Sequence, residues 1–123
     1  LAPRTDPWFD ETEVPGVKLA IDTQMKYRGD VMREPTYLGT WPCGAIICEA
    51  IRRAIEDVGY ENLDGLAIKR TLDNMKDFDV HGMTKITYAP EQRRGSRSVA
   101  AYQIREGKIV RVSDWREAPI LVP

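Results

Sequence analysis

Val17, Ala20, Ile21 and Met25 recur at the three- and four-residue spacing of one helix face. Pro15 suits the first turn of such a helix, where its missing N–H is not needed. Asp10, Glu11 and Glu13 lie just upstream, favourable for the positive end of the helix dipole, and Gly29 is a natural stop. Arg33 to Thr40 reads as a connector holding Tyr37 and Leu38. The strongest helix is predicted from about Trp41 to Val58, with Pro42 in its first turn and Gly59 at its end. Cys43, Ile47, Ala50, Ile51, Ala54 and Val58 form its apolar face, and Glu49, Arg52, Arg53, Glu56 and Asp57 fill the other. A third helix starts after Asp64, whose carboxylate can cap it, and runs to about Lys76 with Leu66, Ile68, Leu72 and Met75 on one side.

Beyond Phe78 the period changes. Lys85–Tyr88, Arg97–Ile104 and Lys108–Ser113 read as short strands. Turn-forming residues from Ala89 to Gly95 separate the first two. Arg105-Glu106-Gly107 makes a tight hairpin between the last two, with glycine where positive φ is wanted. Leu1 to Glu13 and the tail to Pro123 read as extended. Val99, Ala101, Ile104, Ile109, Val110 and Val112 put apolar groups on both faces of the hairpin, and no βαβ alternation supplies a central sheet for the helices. The chain opens Leu1-Ala2-Pro3-Arg4, with no initiator methionine and no basic-then-apolar leader. The expectation is a C-terminal piece of a longer polypeptide whose sheet strands lie upstream.

Composition narrows the class. The 123 residues make one domain at most, 30% charged and 42% hydrophobic, which fits a folded chain. A net charge of -1 argues against a dedicated nucleic-acid binder. No apolar run approaches the roughly 18 residues of a membrane-spanning helix; Cys43 to Ala50 is already broken by Glu49. One histidine and two cysteines are too few for a zinc site built from those residue types alone.

The order of segments then becomes recognisable. Tyr37-Leu38-Gly39-Thr40-Trp41 precedes Glu49-Ala50-Ile51-Arg52-Arg53-Ala54, followed by Leu63-Asp64-Gly65 and Lys76-Asp77-Phe78-Asp79. His81-Gly82-Met83-Thr84, Arg94-Gly95-Ser96-Arg97-Ser98 and Tyr102-Gln103-Ile104-Arg105-Glu106-Gly107-Lys108 close the series. From about Trp8 to Trp115 the chain resembles the C-terminal third of the periplasmic substrate-binding proteins of branched-chain amino-acid-type ABC transporters. The resemblance implies an α/β fold: the C-terminal fragment of a two-lobed binding protein, three helices followed by short strands and a β-hairpin. It divides the chain into a hinge segment (1–13), the helical part of one lobe (14–79), and terminal strands returning to the hinge (80–123).

The same resemblance implies a non-enzymatic, periplasmic component of an importer. Its partners would be a small solute, such as an amino acid or related small acid, and the membrane subunits of the transporter; no cofactor and no nucleic acid is implied. The family's aromatic ligand contact falls near Tyr37, with Trp41 a turn away, and Trp8 could line the same cleft. An aromatic ring shields apolar ligand surface. Rings at helix starts also commonly anchor cores, and that packing role is the favoured reading of all three. With most of both sheets missing, an isolated piece is expected to dimerise or exchange strands. A cytosolic ligand sensor of the same fold, or a free-standing dimerising interaction domain, stays open as an alternative.

Chemistry outside that resemblance is sparse. His81, the sole imidazole, sits in a loop without a nucleophile pattern beside it. Cys43 and Cys48 on one helix would have Cα atoms about 8–9 Å apart, beyond the ~7 Å reach of a disulfide. They are expected to be buried small apolar residues. Arg93, Arg94, Arg97 and the Arg52-Arg53 pair read as solvated charge, as do Asp73, Asp77 and Asp79.

Overall fold

The structure is a computed structural model that describes residues 1–119. A short strand β1 (Ala2–Arg4) leads into α1 (Pro15–Arg28) and α2 (Pro35–Val58). A single 3-10 turn at Tyr60–Asn62 and α3 (Gly65–Asp73) complete the helical part. Five strands follow: β2 (Phe78–Asp79), β3 (Lys85–Ile86), β4 (Ser98–Arg105), β5 (Lys108–Arg111) and β6 (Arg116–Glu117). This is a mixed α/β chain, helices first and small antiparallel sheets after.

The predicted helix starts were right for α1 and α3. Pro15 stands in the first turn of α1, and the Asp64 carboxylate accepts from the Ala67 N–H at 2.7 Å to cap α3. α3 is shorter than expected, ending at Asp73 rather than near Lys76.

The connector before α2 was misread, because Arg33–Thr40 is largely helix. Pro35 is the first-turn proline, while Pro42 lies inside the helix. An interior proline removes the bond its own N–H would make and presses on the preceding turn. Here Pro42 is buried beside Leu38, itself fully buried, so packing holds the helix through it.

The buried face of α2 also differs. Leu38, Pro42, Ile46, Ala50 and Ala54 point inward, one every fourth residue, while Cys43 and Ile47 are exposed. The expected face was chosen for apolarity alone. The chain's own packing partners sit on the neighbouring side of the helix.

Those partners form two clusters. Ile46 and Ala50 pack with Met75, Val80 and Ile86, with Ile68, Leu72, Phe78 and Tyr88 around them. Nearer the helix start, Leu38 packs with Val17, Ala20 and Met83, ringed by Phe9, Val14, Ile21, Tyr37 and Trp41. Gly16 is needed at the second seam. A Cβ there would meet the Met83 sulfur at 2.7 Å and the His81 carbonyl oxygen at 3.1 Å. The Gly16 N–H donates to that same carbonyl at 2.8 Å, which draws the start of α1 onto the β2–β3 turn.

β4 is the centre of the larger sheet. β1 pairs with it antiparallel, Ala2 opposite Tyr102, and β5 lies on its other side with Tyr102 opposite Arg111. β6 pairs with the start of β4 through Ser98 and Val99. The tight β4–β5 turn was expected; both Glu106 (φ 50°) and Gly107 (φ 76°) are left-handed there, as a two-residue hairpin of this twist requires. β1, β2 and β6 were not anticipated as strands. The extended tail holds β6, and its last four positions, 120–123, lie outside the described residues.

Candidate functional site

Tyr37 stands in the first turn of α2, brought there by the helix start at Pro35. Its hydroxyl donates to the Ala20 carbonyl oxygen at 3.0 Å, tying α2 to α1. The Trp41 ring lies one turn on, 6.0 Å from the Tyr37 ring centre and tilted by 57°. Both rings pack on the Val17–Ala20–Leu38–Met83 cluster. The Trp41 indole Nε1 is buried and has no hydrogen-bond partner among the described residues.

Trp8 belongs to a different arrangement. Its ring meets Phe9 edge-on at 5.3 Å and carries the Arg4 guanidinium 4.6 Å above its centre. Phe9, not Trp8, joins the cluster that holds Tyr37 and Trp41. The structure therefore brings two of the three aromatic candidates together and relates the third to them through its neighbour.

Tyr37 has open space in front of it. It lines a depression of about 270 Å³ with Gln24, Arg28, Glu34, Thr36 and Thr40. Gln24 is nearly buried and donates to the Val31 carbonyl oxygen at 2.9 Å, fixing the loop that closes one side. The volume falls just below the usual range of roughly 300–1,000 Å³ for small-molecule sites. Its lining offers a cation, a carboxylate, hydroxyls and an amide around one aromatic ring, which suits a small polar molecule with an apolar part.

The polar cluster that sequence reasoning missed is centred on Glu11. Its carboxylate accepts from the Tyr102 hydroxyl at 2.6 Å, from Arg111 Nε at 2.8 Å and from the Trp8 backbone N–H at 2.7 Å. Burial alone would raise the Glu11 pKa, but the donated bonds from Tyr102, Trp8 and Arg111 outweigh it and the value is lowered. Tyr102 is shifted upward, first by burial and then by its bond to Glu11. This clamp fixes the segment after β1 to the β4–β5 hairpin. Glu11 and Arg111 are 100 residues apart, and nothing in the local pattern marks them as partners.

Other candidates took different places from those expected. Cys43 and Cys48 are exposed rather than buried, because the inward face of α2 is turned away from them. Asp73 was read as exposed charge but is nearly buried, held between Lys69 and Arg93. The Lys69 bond first, and then the charges of Lys69 and Arg93, outweigh desolvation and keep its carboxyl below the ordinary value. Arg52 and Arg53 pair with Glu49 on the exposed side of α2, and Arg97 pairs with Glu117. His81 is exposed in the turn before β3, with φ 49°. No trio of His, Cys, Asp or Glu is grouped to hold a metal ion among the described residues. No helix among them is long and apolar enough to cross a membrane.

No family model matches the chain, and no curated protein matches it in sequence. A solved structure does: the crystal structure of a branched-chain amino acid ABC transporter from Thermus thermophilus with bound valine. The TM-score is 0.72 at 18% identity, over 94% of this chain and 32% of that one. At that identity the likeness establishes a shared fold. This chain thus has part of the periplasmic-binding-protein fold, spanning about a third of the branched-chain amino acid transport protein it matches.

Proposed function

We propose that the chain is the C-terminal part of a two-lobed, non-enzymatic solute-binding component of an ABC importer, working outside the inner membrane. The supporting observation is the structural likeness over 94% of the chain to a transport protein that holds valine. Two lobes would close over a small solute, an amino acid or related small acid, and the membrane subunits would recognise the closed form.

In this reading residues 1–13 form a hinge segment, 14–79 the helical part of one lobe, and 80–123 the strands that return to the hinge. The Glu11–Tyr102–Arg111 clamp supports that division, since it joins the first segment to the last. Tyr37 is the aromatic wall toward the solute, because it lines an open depression. Trp41 backs Tyr37 from the core side, and Trp8 acts from the hinge segment.

The test is calorimetric titration of the protein as its host makes it, beginning with valine and continuing through other small amino acids and aromatic acids. Saturable heat with at least one of them is expected. Tyr37→Ala should weaken that binding about tenfold, equivalent to ~1.4 kcal/mol, while Tyr37→Phe, which keeps the ring, should retain it. Absence of heat across the whole panel would contradict the proposal.

A further inference from the structure

The segment Arg94-Gly95-Ser96-Arg97-Ser98 sets two arginines among small and hydroxyl residues just ahead of β4. It forms one wall of a cavity of about 540 Å³, twice the depression at Tyr37, and the two share no lining residue. Thr84, Lys85 and Thr87, in and beside β3, make the facing wall. The volume lies within the roughly 300–1,000 Å³ of small-molecule sites. Gly95 lets the walls meet, because its carbonyl oxygen accepts from the Thr87 N–H at 2.8 Å. A Cβ there would run into the Tyr88 hydroxyl at 2.8 Å. Tyr88 packs in turn on the Ile46–Ala50 cluster, so the core backs this loop.

Counting donors and acceptors shows what the cavity lacks. Ser96 Oγ is bonded to the Thr84 hydroxyl at 2.9 Å and also accepts from the Ser98 N–H at 3.2 Å. Two hydroxyls that share one bond leave one O–H to donate outward, whichever of them supplies the shared proton. The Gln92 Oε1 accepts from the Arg94 N–H at 3.3 Å, so the open end of that amide is its NH₂. The acceptors are already engaged: Asp77 Oδ1 takes the Thr87 hydroxyl at 3.4 Å, and Glu117 takes Arg97 at 2.9 Å. Neighbouring Arg93 is held by Asp73. Lys85 and Arg94 alone among these cations make no ion pair with the described residues. Free donors therefore predominate, and two of them are charged.

We propose that this cavity binds the oxyanion group, phosphate or carboxylate, of a small polar molecule. Lys85 supplies a compact charge and Arg94 a planar fork matched to paired oxygens. The free hydroxyl of the Thr84–Ser96 pair and the Gln92 amide take further lone pairs, and the remaining volume holds the body of the molecule. Because the cavity is separate from the depression at Tyr37, this site stands or falls independently of the amino-acid titration.

The test uses the native protein as its host makes it, in about 0.15 M salt, where attraction to exposed charge alone is largely screened. Inorganic phosphate, glucose 6-phosphate and citrate are titrated separately by calorimetry, and saturable binding of at least one is expected. Binding of the two phosphates without citrate assigns a phosphoryl group, and citrate alone assigns a carboxylate. Lys85 and Arg94 are exposed, so Lys85→Met with Arg94→Ala should leave the fold intact. That pair should weaken binding at least about tenfold, whereas Arg105→Ala, an exposed arginine outside the cavity, should change it less than about twofold. Ser96→Ala alters no charge and should still weaken binding several-fold. No binding of any of the three probes overturns the proposal, as does an equal loss in Arg105→Ala. Unchanged affinity in the Lys85–Arg94 double variant or in Ser96→Ala also overturns it, since the anion would then be held elsewhere or by loose charge alone.

Discussion

The two ends of the molecule are held together by different physics. α2 is seated by apolar side chains one turn apart, Leu38, Ile46 and Ala50 among them, each meeting residues of α1, α3 or the β2–β3 turn. The β4–β5 hairpin is fastened to the segment after β1 by one carboxylate, Glu11, with a buried tyrosine and an arginine. Much of the helical seam repeats along the sequence, so it survives small shifts. The clamp is a single point, and its strength depends on the carboxylate being ionised.

Removing core volume from the helical seam should have the largest effect. Leu38 is fully buried between α1 and the Met83 turn, so Leu38→Ala should cost about 2–5 kcal/mol in urea unfolding. A loss well under 1 kcal/mol would mean that the second cluster does not carry α2.

The clamp should be weaker than the seam. Tyr102→Phe keeps the buried ring but removes the hydroxyl that Glu11 accepts from, and a hydrogen bond to a charged group is worth about 1.5–3 kcal/mol. The same unfolding measurement checks it. A neutral result would show that Trp8 and Arg111 satisfy the carboxylate without Tyr102.

The third prediction separates the two regions by pH. The folded pKa of Glu11 is depressed below its ordinary value of 4.5. Its contribution is therefore present above pH 4.5 and is lost as pH falls through the lower folded value. Glu49 behaves alike, drawn down to about 2 by hydrogen bonds from Arg52 and Arg53, but on a helix surface where solvent screens it. Glu11→Gln should flatten the acid limb of the stability curve relative to the parent and lower stability at neutral pH. An unchanged acid limb would remove the clamp from the account.

The smallest effect belongs to the surface pairs of α2. Arg52→Ala breaks exposed contacts with Glu49 and Glu56 and should leave the urea unfolding midpoint close to that of the parent. A larger loss would place stability on the charged face, against the description given for α2.

The same contrast explains what was legible in the sequence. Helices α1 and α3 are written locally, in a proline at a first turn, a capping aspartate and an apolar spacing. The β4–β5 turn is written in Glu106 and Gly107. The start of α2 was hidden because Pro42 imitates the helix-start signal that Pro35 supplies, and only the burial of Leu38 tells them apart. The inward face of α2 depends on which neighbours the chain provides, so apolarity alone pointed to Cys43 and Ile47, which are exposed. β1 owes its strand to pairing with Tyr102, about a hundred residues away, and Glu11 owes its role to the same register. Long-range partnerships of this kind leave no period to read. Tyr37 and Trp41 were singled out by the family resemblance, and nothing in the sequence could show that Tyr37 lines an open depression.

The most direct test of the account is the intact mass of the protein as its native host makes it. The account predicts a polypeptide of which these 123 residues are about a third, in keeping with the share of the transport protein that they match. A native protein with the mass of this chain alone would contradict it, because no second lobe would exist to close over a solute.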